Sequence, residues 1–419
     1  MHKITFSLLF LYFVLTTNAS LVFGQCLPDG ISFNSQSQID DFPTDYPGCT
    51  EITGYVFITG NINNLNGLSQ ITAIGEFLKI NNTTLENLDG LENLQAIDEL
   101  LLEDNDDLAD INALSNLSFL NRILVWNNDS LLSLSGLEGI TNISGEISIQ
   151  QNDILASLMG LQNLTNIGND CSIYLNPQIS NLNGLESLNK IGDSFTIGEN
   201  ISLSTLEGLD NLSEIGGYFT LSMNPQLLSI QNLQSLTSIN GYFFIQNETS
   251  LINLNGLENL THIDGFLNIS VNNSLMNIDG IRNIDASTVT ELQIFQNGNL
   301  SECAVQSVCD FLEIDPMNAV IDTNFVGCNS VQEVQDACAL GTQENQFSKI
   351  KFYPNPTKDT FEISGLNDGT VAIIDSQGRI VKQLDLGQTH YSISELTSGI
   401  YFVKITSEKS SITKQLIKT

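Results

Sequence analysis

NPQISNLNGLESLNKIGDSFTIGEN, residues 176–200, is one copy of a unit that recurs through most of this 419-residue chain. Its slot for Ile179 is filled elsewhere by Ile62, Leu85, Leu108, Leu131, Leu155, Leu203, Leu227, Leu251, Leu275 and Leu300, at steps of 23 to 25 residues. A fixed period of that size marks a solenoid, whose units must stack because none can bury its apolar face alone. Eleven coils are expected over residues 51–300.

Within a coil, the first apolar pair alternates, as in Phe195 and Ile197, Phe219 and Leu221, Phe243 and Ile245, and Leu267 and Ile269. Period two over a short run means a strand with these side chains inward and Thr196, Thr220, Phe244 and Asn268 outward. One strand per coil predicts a parallel ladder. Three residues on comes Asn, at 105, 128, 152, 176, 200, 224, 272 and 297, suited to satisfying the backbone groups of a stacked turn. Asn247 is offset by one, which predicts a distorted turn there.

The apolar spacing then becomes three, as in Leu182, Leu185, Leu188 and Ile191. Strict threes fit neither a strand nor a continuous α-helix, so short 3₁₀ turns and extended corners are expected. Gly precedes the second Leu in eight of ten coils, but Ala113 stands there in one, so close approach between coils is the main reason expected for it. Each buried Leu contributes about 1.5–3 kcal/mol, and Leu257→Ala should cost about 2–5 kcal/mol.

Charge divides the chain. Of 14 Lys and Arg, nine lie after residue 343, leaving the last 76 residues at +1 and the first 343 at −35. So acidic a body repels phosphate backbones and anionic membranes, which excludes nucleic acid as a partner. The EDNDD turn at 103–107 offers oxygen ligands without the spacing of a calcium loop, so calcium is the one cofactor considered. His262 and His390 lie in no metal-type spacing, and no nucleophile elbow or phosphate-cradling loop occurs. No catalytic, cofactor-binding or metal-binding set is expected. The enzyme alternative is a glycan hydrolase, which needs paired carboxylates on adjacent outward sites, and Glu103 is the only acid mapped there.

His2 and Lys3 ahead of ITFSLLFLYFVL at 4–15 read as a secretory signal peptide over residues 1–24, cleaved after Gly24 or alternatively after Ala19. No other stretch reaches 18 consecutive apolar residues, so no spanning helix is expected in the mature protein. Cys26 and Cys49 bracket an N-terminal cap at 25–50; Cys303, Cys309, Cys328 and Cys338 fall in a helical C-terminal cap at 301–340. Helix starts are expected at Ser301 and at Ser330, which forms a capping box with Glu333. In a helix Cys303 and Cys309 stand about 9 Å apart along the axis, too far for one bridge. The expected pairs are 303 with 328 and 309 with 338, the nested pairing being second. Cys171 is left over, in a core slot.

The outward strand sites carry any specificity. Leu101, Glu103, Leu124 and Trp126, with Tyr174 two coils away, are the candidate ligand-binding residues, and Trp126 is the only Trp. A protein or glycan is the expected ligand class; a structural surface component without a single ligand is the alternative.

The pattern NNTTLENLDGLENLQAI, with strands such as FTIGEN, resembles leucine-rich repeats of the receptor L-domain type and implies a right-handed solenoid. After a linker at 341–347, residues 348–419 read as a small all-β immunoglobulin-like sandwich. Its Tyr353-Pro354-Asn355-Pro356, the turn from Ser376 to Arg379, Gly399 and Tyr401, and Lys414 to Lys418 resemble the type A C-terminal sorting domain of the bacterial type IX secretion system. That resemblance implies a Bacteroidetes-like source and export across the outer membrane. It also implies a partner in the type IX machinery, and release or attachment at the cell surface.

Overall fold

The computed structural model describes residues 24–348, 351–364, 370–375, 379–384, 390–406 and 411–419. The expected signal peptide, Gly24 excepted, and residues 376–378 of the sorting-domain turn lie outside them. Two compact units divide the chain, Met1–Ile239 and Asn240–Thr419.

In the first unit the expected parallel ladder forms. Arg122–Trp126, Ile147–Gln150, Cys171–Tyr174, Phe195–Gly198 and Phe219–Ser222 pair in register, each with the equivalent residue of the next coil. The inward residues fill the core: Phe195, Ile197, Phe219, Leu221 and the corner residues Leu182, Leu185, Leu188 and Ile191 are all at most 1% exposed. Phe195 and Phe219 stack at 5.5 Å, which holds equivalent slots of successive coils together. Cys171 sits in that core as a free thiol, its pKa pushed up to about 12 by burial and then by Asp170. A thiol so held is inert.

Each coil leaves the strand through one residue in the left-handed region. These are Asn82, Asp104, Asn127, Gln151, Leu175, Glu199 and Met223 in the first unit, at φ between 53° and 58°. The next residue is the buried Asn, except after Asn82, where it is the buried Thr83. Asn128, Asn152, Asn176 and Asn200 each accept, on Oδ1, the backbone N–H of the preceding coil's Asn at 3.0–3.3 Å. Each donates Nδ2 to a carbonyl of that preceding coil. Thr83 begins this column by donating both its N–H and its hydroxyl to Asn105.

The corner side differs from expectation in two ways. First, it carries a second parallel ladder of two-residue strands, among them Asn142–Ile143, Asn166–Ile167, Lys190–Ile191 and Glu214–Ile215. The Ile of each is inward, and one inward residue is too short a run to show alternation. Second, the Gly does two jobs. A Cβ on Gly184 would meet Leu158 O at 2.3 Å, which is the expected close approach, but Gly90, Gly136, Gly160, Gly184, Gly208 and Gly256 also need φ between 111° and 117°. In those six coils the Gly N–H is accepted by the side chain two residues on, Glu92, Glu138, Gln162, Glu186, Asp210 or Glu258. Where that residue is Ser69, Ser115 or Arg282, the segment is instead a 3₁₀ turn around Gly67, Ala113 or Gly280. Helix α1, Gln36–Asp45, buries Ile39 and Phe42 and joins the Cys26–Cys49 bridge in capping the first coils.

The second unit repeats the scheme with Phe243–Gln246, Gly265–Ser270, Val289–Phe295 and Ala319–Asp322. The turn at Asn247 is regular, contrary to expectation. Asn247 takes the left-handed position at φ 59°, and Glu248 occupies the buried Asn slot, with its N–H on Asn272 Oδ1 at 2.9 Å. Bridges join Cys303 to Cys328 and Cys309 to Cys338, so the nested pairing does not occur. Helix α2 is Gln306–Ile314, starting later than Ser301 because residues 301–302 still bond to the coil before, through Met276 O and an isolated bridge to Asn277. Helix α3 is Val331–Ser348, with Ser330 Oγ accepting the Glu333 N–H. Glu333 reaches back to Gly327 and Asn329, completing a wider version of the capping box. The expected linker at 341–347 is the last part of α3, a segment that contains no Pro to end a helix.

The described residues of 351–419 form two antiparallel sheets, one of three strands and one of four, around Phe361, Val371, Ile373, Tyr391, Tyr401, Val403, Ile405 and Leu416. The order of the larger sheet sets Gly399–Thr406 between Thr370–Ile374 and Ser411–Lys418.

Candidate functional site

Strand register places the candidate residues in two rows. Leu101 and Leu124 are direct partners, followed by Ser148 and Ser172. Glu103, Trp126, Gln150, Tyr174 and Gly198 form the second row. The two aromatics are therefore separated by one side chain. Trp126, Leu124 and Tyr174 are half-buried, while Leu101 is only 9% exposed, a correction to its expected place in an exposed cluster. Lys79 stands beside Leu101 and extends past it to Glu103, with Leu124 on the other side, so a leucine of outward register is covered by longer neighbours. Ser222, Asn268 and Ser270, also outward by register, are buried as well.

The polar groups of this face are engaged. Lys79 Nζ lies 2.6 Å from Glu103, and Arg122 bridges Glu99 and Glu146 at 3.1 and 2.6 Å. Burial works to lower the Arg122 pKa, but these hydrogen bonds and charges outweigh it and raise the value. The Trp126 indole N–H donates to Gln151 of the next coil, and the Tyr174 hydroxyl donates to Glu199. The second bond is also the main reason the Tyr174 hydroxyl holds its proton above the ordinary range, with burial adding to it. Tyr174 lies over Gly198, where a Cβ would stand 2.9 Å from its ring.

Gln151 and Glu199 point to a feature that the strand rows alone do not contain. They line a cleft of about 350 Å³ with Asn127, Asp129, Asp153 and an apolar side of Leu175, Pro177 and Ile201. Asp129 Oδ1 is buried there without a hydrogen bond, and its pKa is raised by burial first, then by Asp153 and Asp106. The sequence signal is the acid after successive buried Asn residues, Asp106, Asp129 and Asp153, which recur at the coil period. Among the described residues no group of three or more His, Cys, Asp or Glu is placed to hold a metal ion. Aromatic edges held beside acceptor groups suit a neutral or basic ligand and repel an anionic one.

In the sandwich, the first and last sorting motifs meet. Asn355 donates Nδ2 to Gln415 O at 2.9 Å and accepts the Ile417 N–H on Oδ1 at 2.8 Å, clamping the final strand. Pro354 and Pro356 flank it in the exposed loop, and Tyr353 is half-exposed before them. Gly399 pairs with Lys418, Val403 with Lys414, and the buried Tyr401 donates its hydroxyl to Thr397 O. Lys418 is 8% exposed, 3.6 Å from Asp359.

This clamp coincides with a family match: residues 351–419 match the secretion system C-terminal sorting domain, and residues 48–133 match the receptor L domain. The chain joins a receptor L domain to a type IX sorting domain. The sorting domain directs it to the cell surface or the extracellular space and implies engagement with the type IX secretion machinery. No described helix is long and apolar enough to cross a membrane. No curated protein matches the chain. The receptor L domain match covers Leu101, Glu103, Leu124 and Trp126 but ends before Tyr174.

Proposed function

We propose that this is a non-catalytic surface-recognition protein, an eleven-coil right-handed solenoid that binds a protein or glycan on the strand row containing Trp126 and Tyr174. One observation carries the reading. Both aromatics are fixed by hydrogen bonds to the coil after them, Trp126 by Gln151 and Tyr174 by Glu199, and those two partners border the acidic cleft. Fixed aromatic side chains lower the ordering cost of binding, which is the advantage of a prepared site. Glu103, the one acid mapped on the outward rows, has no second carboxylate beside it there and is ion-paired to Lys79. The match to a receptor L domain supports binding as the role.

The test is an array of glycans and bacterial and host surface proteins, probed with the mature chain and with Trp126→Ala combined with Leu124→Ser. The variant should lose the hits that the wild type gives. Undiminished binding by a secreted, folded variant would remove the Trp126 row as the site. An array with no hits at all would favour a structural surface role.

A further inference from the structure

The second unit carries a strand irregularity between two successive coils. Gly265–Ser270 pairs with Val289–Phe295 through a register shift between Gly265 and Phe266. Gly265 has φ 149°, and the Cβ it lacks would stand 2.7 Å from the ring of Tyr242. The unpaired residue is Thr290 on the Val289–Phe295 strand, and past it Glu291 stands opposite Phe266.

Phe266 completes an aromatic corner. It stands 5.3 Å from Phe244 and 6.4 Å from Tyr242, and Tyr242 is 6.2 Å from Phe244, with interplanar angles of 74° to 89°. Tyr242 is 52% exposed, and both Phe rings are half-buried. Register then supplies polar neighbours. Phe244 is partnered across Asn268 to Gln293, and Phe266 is partnered to Glu291. Asn268 Nδ2 donates to Gln293 Oε1 at 3.0 Å, and Gln293 Nε2 donates to Glu291 at 2.6 Å, which fixes the amide plane and leaves Glu291 exposed.

We propose that Tyr242, Phe244 and Phe266 form a binding platform for a neutral glycan, with Gln293 and Glu291 taking its hydroxyls. Aromatic faces accept the C–H face of a sugar ring, while a fixed amide next to a carboxylate offers both a donor and acceptors for adjacent hydroxyls. The single charge in the patch is Glu291, which repels acidic polysaccharides and nucleic acid. Three rings and two polar side chains are far smaller than the roughly 800 Å² per partner of a stable protein interface, and match a few sugar units instead. This platform does not depend on the Trp126 row, whose residues lie in the other unit.

The experiment is affinity electrophoresis of the mature chain through gels containing soluble β-1,3-glucan, mixed-linkage β-glucan, xyloglucan or galactomannan, with polygalacturonate as the acidic counterpart. Retardation by at least one neutral polysaccharide is expected, with Tyr242→Ala and Phe266→Ala each weakening it about tenfold. Gln293→Ala, a surface change that leaves the rings in place, should weaken it too, which keeps the test valid if Phe266→Ala does not fold. No retardation by any neutral polysaccharide overturns the proposal. So does retardation by polygalacturonate alone, or equal retardation of wild type and folded Tyr242→Ala and Gln293→Ala. Loss of retardation on Trp126→Ala alone assigns the glycan to the Trp126 row and also overturns it.

Discussion

The backbone N–H and the side-chain Nδ2 of Asn152 both donate to Oδ1 of Asn176, at 3.2 and 3.0 Å, across the junction between successive coils. Asn176 in turn donates Nδ2 to Ile149 O at 2.9 Å. Since both groups are buried, removing the amide strands donors and an acceptor without water. Asn176→Ala should cost about 2–4 kcal/mol, seen as a lowered urea midpoint. A loss below about 0.5 kcal/mol would show that the turn holds without its side chain.

Gly184 and Ala113 occupy the same slot of their coils but should respond to substitution by different amounts. Gly184→Ala adds a Cβ 2.3 Å from Leu158 O at φ 115°, so a loss of about 2–4 kcal/mol is expected. Ala113 lies in a 3₁₀ turn, and Ala113→Gly should cost only about 0.5–1 kcal/mol, mostly by freeing the unfolded chain. Thermal melts of the two variants compare them directly.

Glu248 sits at 0% exposure in a slot that other coils give to Asn. A carboxylate is more costly to bury than an amide. Glu248→Asn should therefore raise stability by about 1 kcal/mol at neutral pH, read from denaturant titration. A destabilised variant would mean that the longer side chain is needed to fill the turn.

Asp129 carries a raised pKa from burial and from Asp153 and Asp106. A carboxyl whose folded pKa lies above its unfolded one favours the folded state in its protonated form. Its stabilising share is present below the ordinary carboxylate value and lost as pH rises through the folded value. Asp129→Asn should therefore stabilise at pH 7, by at most about 0.5 kcal/mol once solvent screening is allowed for. That gain should vanish as pH falls through the carboxylate range. Thermal midpoints of both proteins at pH 7 and pH 3 test this, and a gain that persists at pH 3 would point to packing instead of charge.

The solenoid, its inward residues, the buried Asn slot and the sorting motifs were legible along the chain, whereas the pairing in the C-terminal cap, left open between two alternatives, came from the structure. Each legible feature is a requirement that a coil or strand places on its own residues, so it shows as spacing along the chain. The two forms of the corner were partly legible too, because an acid or Gln two residues after Gly marks the left-handed turn. Yet LNGL takes the 3₁₀ form at 65–68 and the left-handed form at 182–185, so those four residues alone do not choose. What the strand face exposes is set by tertiary contacts. Leu101 is covered by neighbours from adjacent coils; Trp126 and Tyr174 are oriented by Gln151 and Glu199, each 25 residues away, and Phe266 meets Tyr242 and Phe244 of the coil before. Exposure of an outward side chain depends on the lengths and hydrogen bonds of its lateral neighbours. Those neighbours lie about one period away in sequence, and no local pattern reports them.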